Sequence, residues 1–183
     1  MENTSYLLVY LSFLLLLLGI AAFFVVRQVF KTRRIESTLS RLQRKLTSQT
    51  GTAQEYYELG SLLLDKKLFA QASLYLQQAL KTLNKEVDNI EEADNAAIIY
   101  NALGYAYFAQ EQFDLAIKQY KLALKAQPGY VTALNNLGHS YEKKQQIKQA
   151  LEIYEEALQL DASNATAKRR ADSLRKRVPA TSQ

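Results

Sequence analysis

Two kinds of apolar patterning divide the chain. From Ser5 to Val26, in SYLLVYLSFLLLLLGIAAFFVV, 22 consecutive positions carry no charge. Wound as an α-helix, that run is about 33 Å long, enough to cross a hydrocarbon layer of ~30 Å. From Ala53 onward the apolar residues instead recur at intervals of three and four, the period of a helix with one buried face. These stretches come in pairs, each pair split by a short polar turn: DKKL, QEQF and KKQQI. The patterning predicts an all-α chain.

Aligned on their glycines, the pairs form three copies. The first places Tyr56, Leu59, Gly60, Leu63, Phe69, Ala72, Leu76 and Ala79 in slots that the second fills with Tyr100, Leu103, Gly104, Tyr107, Phe113, Ala116, Tyr120 and Ala123. The third has Leu134, Leu137, Gly138, Tyr141, Ile147, Ala150, Tyr154 and Ala157. A glycine inside a helix costs about 1 kcal/mol relative to alanine. Its return at one slot therefore predicts a packing role. Together with Ala72, Ala79, Ala116, Ala123, Ala150 and Ala157, the three glycines let paired helices approach closely while Tyr, Leu and Phe fill the space around them.

This set of slots resembles the tetratricopeptide repeat. The resemblance implies a right-handed α-solenoid of three repeats at 53–86, 97–130 and 131–163. Gly104 and Gly138 stand 34 residues apart, but Gly60 and Gly104 stand 44 apart, because about ten residues are inserted at 87–96 around VDNIEEADNA. We read the insertion as an N-terminal extension of the next helix, where Asp88, Glu91, Glu92 and Asp94 suit the positive end of the helix dipole. An acidic patch for a partner is the other reading. Beyond the third copy, Asn164 is placed to cap a last helix through ATAKRRADSLRKR. Ala167, Ala171 and Leu174 give that helix one small apolar face, suited to covering the open end of an array. Residues 164–183 are thus expected to form a capping helix and a basic tail.

Charge changes how the N-terminal run is read. Before Ser5 the only charged residue is Glu2, whereas Arg27, Lys31, Arg33 and Arg34 follow the run closely. A signal peptide places its basic residues first and has a shorter apolar run, so residues 1–30 are expected to be a retained, single-span anchor. The positive-inside rule then puts the N-terminus outside and the body on the cytoplasmic or stromal side. Residues 31–52 read as a basic juxtamembrane helix with a narrow stripe of Ile35, Leu39, Leu42 and Leu46, and then a linker, TSQTGT. The net charge of +5 hides an uneven distribution: +5 over residues 1–50, −5 over 51–164 and +5 from Ala165 onward. An acidic body argues against nucleic acid as partner.

Candidate chemistry is sparse. The chain has no cysteine and one histidine, His139, which leaves no thiolate or multi-histidine metal site. No Gly-rich phosphate loop and no nucleophile–base pair can be assembled. No enzyme activity, cofactor, metal or small-molecule substrate is expected.

A surface remains. The tetratricopeptide resemblance implies that the first helix of each repeat lines a concave face that binds extended peptides or other proteins. In chaperone-docking members, a lysine three residues before the glycine slot and an asparagine just after it clamp a terminal carboxylate. Here those positions hold Tyr57, Asn101 and Asn135, then Ser61, Tyr105 and His139, so the cationic clamp is absent. With Phe108, these residues predict a neutral aromatic–amide groove for an uncharged segment or a folded partner.

The arrangement as a whole carries a further resemblance. One span, RQVFKTRRIESTLSRLQRKL, then GTAQEYYELGSLLLDKKLFAQA and further repeats is similar to the photosystem I assembly tetratricopeptide proteins of cyanobacteria and red-algal-type plastids. That resemblance implies a thylakoid anchor, a stromal or cytoplasmic repeat domain, and partners among photosystem I subunits or other assembly factors. A receptor for peptide tails in protein targeting or translocation is the alternative function.

Overall fold

The structure, a computed structural model, describes the backbone of residues 2–86 and 91–177 and, within those ranges, all side chains but those at 2–5, 7–9, 12, 31, 84–86 and 91–94. Of the acidic insertion, Asp88 and the side chains of Glu91, Glu92 and Asp94 lie outside the described residues. The described residues form helices throughout: α1 Glu2–Ser48, α2 Ala53–Asp65, α3 Phe69–Glu86, α4 Glu91–Ala109, α5 Phe113–Ala126, α6 Val131–Lys143, α7 Ile147–Leu160 and α8 Ala165–Arg175. The chain divides into two units, residues 1–47 and 48–183.

The first unit is α1. Anchor and juxtamembrane segments are one unbroken helix of 47 residues, not two. The reason is local: neither glycine nor proline occurs between Arg27 and Ser48, so nothing interrupts the hydrogen-bond ladder. Among the described residues, α1 alone is long and apolar enough to cross a membrane by length and composition. Leu11, Phe13 to Leu18, Phe23 and Phe24 are exposed along it.

The second unit is an array of helix pairs, α2–α3, α4–α5 and α6–α7, closed by α8. Thr52 starts it with a capping box: its Oγ1 accepts from the Glu55 N–H, and the Glu55 carboxylate accepts from the Thr52 N–H, both at 3.2 Å. Every pair turns the same corner. In the first, the Leu68 N–H reaches the Leu63 carbonyl and the Lys67 N–H reaches Leu64; Gln112–Tyr107 with Glu111–Phe108, and Gln146–Tyr141 with Gln145–Glu142, repeat the arrangement. This pair of hydrogen bonds satisfies carbonyls that the helix end would leave bare, and it needs one left-handed residue. Lys67, Glu111 and Gln145 take that conformation, each at φ 60° and each seven residues after its repeat's glycine.

Packing follows the small residues. Ala72, Ala79, Ala116, Ala123, Ala150 and Ala157 are all fully buried. One core cluster joins Leu76, Ala79, Leu80 and Leu83 of α3 to Ile99, Leu103 and Ala106 of α4. A second joins Ala116 and Tyr120 of α5 to Leu134, Leu137 and Tyr141 of α6 and to Ala150, Tyr154 and Ala157 of α7. Ala167, Ala171 and Leu174 of α8 belong to the second cluster, so α8 covers α7 with that face. Asn164 accepts the Ala167 N–H at 3.0 Å and starts the helix. The helix stops at Arg175, two residues earlier than the sequence pattern suggests, where the Arg177 N–H folds back to the Leu174 carbonyl.

A neutral groove on the first helices of the repeats

Each glycine seats a side chain from the second helix of its own repeat. A Cβ added at Gly104 would lie 2.6 Å from Tyr120 Cε1, and one at Gly138 would lie 2.8 Å from Tyr154 Cε1. At Gly60 the neighbour is Leu76 Cγ at 2.7 Å. The occupant always sits sixteen residues after the glycine. The close approach predicted from sequence is therefore helix against ring, or helix against leucine, and the alanines bring the second helix near enough for it. Tyr154 carries its hydroxyl out of the seat to donate to Glu142 Oε1 at 2.7 Å, and Arg170 of α8 donates to the other oxygen at 3.4 Å. Burial pushes the phenols of Tyr120 and Tyr154 far above the ordinary tyrosine value; Tyr105 adds to this for Tyr120, and Glu142 for Tyr154.

With these seats filling the space between the helices of each pair, the first helices present their remaining face to a cleft of about 470 Å³. Tyr57, Ser61, Asn101 and Tyr105 of the predicted groove all line it. Phe108, Asn135 and His139 do not. Phe108 is instead the centre of an aromatic cluster, with its ring centroid 4.7 Å from that of His139 and 5.4 Å from that of Phe113. Burial, with the nearby Arg170, lowers the His139 pKa against the opposing pull of Glu142, so the ring is neutral at pH 7. The Asn135 carbonyl oxygen is buried and accepts no hydrogen bond.

Sequence reasoning missed Leu64, Asp65, Lys67, Ala102 and Asn136, which complete the lining. Asn136 follows Asn135 in an Asn-Asn pair, and one residue is a rotation of about 100° around a helix. That rotation brings Asn136 into the cleft, where its amide donates to Asn101 Oδ1 at 2.9 Å. Asn101 in turn donates to the Tyr130 hydroxyl at 3.4 Å. Asn101 thus ties its own repeat to the next. Asp65 and Lys67 are charges of opposite sign, leaving the lining neutral overall. Tyr105 is 44% exposed and rests edge-on against Phe69 at 6.1 Å between centroids. Among the described residues no group of three His, Asp or Glu could hold a metal ion.

Stacked helix pairs with a shared register and a groove on their first helices define a tetratricopeptide protein-binding scaffold. The tetratricopeptide repeat family matches residues 95–163. The fold also matches the crystal structure of MamA with a TM-score of 0.70, at 18% identity, over 80% of either chain. Closer kinship lies with the protein ycf37 of Cyanophora paradoxa, 34% identical over 137 residues, which cover 74% of this chain and 75% of that one. The chloroplastic tetratricopeptide repeat domain-containing protein PYG7 of Arabidopsis thaliana is 40% identical over 169 residues, 92% of this chain. The match spans about half, 54%, of PYG7. The chain belongs to the ycf37 family of tetratricopeptide proteins.

Proposed function

We propose that this protein is a membrane-anchored scaffold that acts in assembly or stabilisation of photosystem I at the thylakoid membrane, with its repeats on the cytoplasmic or stromal side. One observation supports the plastid-type scaffold within this reading: kinship with PYG7 extends over 169 of 183 residues, too many for the alignment to consist of the repeats alone. At most 14 residues of the chain lie outside that alignment, so it takes in part of α1 as well as the repeats. The helix confines the groove to the membrane surface, which raises its effective concentration near membrane-protein subunits. The groove holds a partner through aromatic faces and amides, with no net charge to select an acidic or basic tail. Tyr57, Ser61, Asn101, Tyr105 and Asn136 are the contacts proposed for that partner, with Phe108 and His139 as its aromatic border.

Affinity purification of the chain from solubilised membranes, followed by mass spectrometry, tests the proposal. Photosystem I subunits are expected to co-purify in clear excess over photosystem II subunits. Equal recovery of the two would remove the photosystem I assignment while leaving a scaffold.

A further inference from the structure

We propose that the outer face of α8 is a second membrane contact, docking on anionic lipid headgroups. The inference rests on the anchored reading of α1 given above. Lys168, Arg169, Lys176 and Arg177 are all exposed, within ten residues of one short helix and its exit. Among the described residues none of their side chains makes an ion pair, whereas Arg170 pairs with Glu142, and Arg175 with Glu155 and Asp172. The paired arginines flank the buried face formed by Ala167, Ala171 and Leu174; the unpaired cations spread over the rest of the helix surface.

The chemistry of that surface selects the occupant. Its other exposed residues are Ala165, Thr166, Asp172 and Ser173. Among the described residues it exposes no aromatic or large aliphatic side chain, and protein interfaces are built around such anchors. Long flexible cations on a convex helix suit a diffuse negative plane, which is attracted by charge alone and only within a Debye length. Such a plane is always at hand for a chain whose α1 spans the bilayer, because α8 follows α1 on the side marked by Arg27, Arg33 and Arg34. The body between α1 and α8 carries the opposite sign, −5 over residues 51–164, so headgroup attraction is confined to the ends.

The test uses the full chain in lipid nanodiscs, of phosphatidylcholine alone or with about one third phosphatidylglycerol. Lysines are labelled with an amine-reactive acylating reagent and read by mass spectrometry. Labelling of Lys168 and Lys176 is expected to fall by ~3-fold or more on anionic discs, to return in high salt, and to return in the variant Arg169→Glu/Arg177→Glu. Lys118 and Lys125, exposed on α5, are expected to label equally on both. A chain that inserts but leaves Lys168 and Lys176 equally reactive on the two lipids overturns this inference alone. Protection of the α5 lysines to the same degree also overturns it, since the contact would not be α8. A chain that fails to insert overturns the anchored reading and this inference with it.

Discussion

The ring of Tyr120 occupies the place where a β-carbon on residue 104 would stand, 2.6 Å from its Cε1 atom. Glycine at 104 is thus required by a neighbour sixteen residues away, not by its own backbone, which is ordinary helix. Gly104→Ala gains up to about 1 kcal/mol of helix propensity. It must also displace a ring that is 1% exposed, and overpacking of that kind costs about 1–3 kcal/mol. Net destabilisation is expected, and more of it for Gly104→Leu. Tyr120→Ala costs about 3–5 kcal/mol by itself. The double variant should be less damaged than the two singles combined by about 1 kcal/mol or more, measured by denaturant unfolding.

The corner residues lead to the opposite sign. Lys67, Glu111 and Gln145 hold φ 60°, a conformation that costs an ordinary residue about 1–2 kcal/mol and glycine little. Part of the relief is lost because glycine also loosens the unfolded chain, by about 0.4–1 kcal/mol. Glu111→Gly and Gln145→Gly are each expected to stabilise by roughly 0.5–1 kcal/mol and to raise Tm by a few degrees. Glu111→Val, branched at Cβ, should lower it.

Alkaline pH should unfold the repeats through two buried phenols. Tyr120 and Tyr154 have folded pKa values raised above the ordinary value near 10, chiefly by burial. Stability linked to them is fully present below pH ~10, and it is lost as pH rises further, because the unfolded chain gives up those protons first. Chemical denaturation between pH 9 and 12, a window taken around the ordinary phenol value of ~10, should show the decline. The decline should be shallower in Tyr120→Phe, which removes one phenol without emptying the glycine seat.

In the groove, packing and binding can be separated. Tyr105→Ala removes an exposed ring whose edge-on contact with Phe69 is worth about 0.5–1.5 kcal/mol, so the fold should survive with a small loss of stability. Partner recovery in the affinity purification should fall several-fold. Asn101→Ala also breaks the link to Asn136 and Tyr130 between repeats, and it should lower Tm and partner recovery together.

Much of this architecture was legible because the helical period, the polar turns and the three glycines all agree. The lining of the cleft was legible at Tyr57, Ser61, Asn101 and Tyr105, since position relative to the glycine fixes which way those side chains face. It was not legible at the Asn-Asn pair, where a rotation of one residue decides between 135 and 136, and that rotation is set by how the third repeat packs on the second. Nor could the corners be read: lysine, glutamate and glutamine do not announce a left-handed residue as glycine or asparagine would. The seats were visible only as small residues. What fills them differs, Leu76 in one repeat and tyrosine in two, and only the packing of paired helices reveals the common distance.

Both recurring intervals, seven residues to the corner and sixteen to the seat, close inside a single repeat. Length is therefore free to vary between repeats and fixed within them. The ten additional residues at 87–96 leave every seat and corner in place. One residue gained or lost between Gly104 and Tyr120 would swing the ring by about 100° out of its slot. Insertions and deletions among relatives should accordingly fall at the junctions between helix pairs, so that the array can change its reach while each pair keeps its own lock.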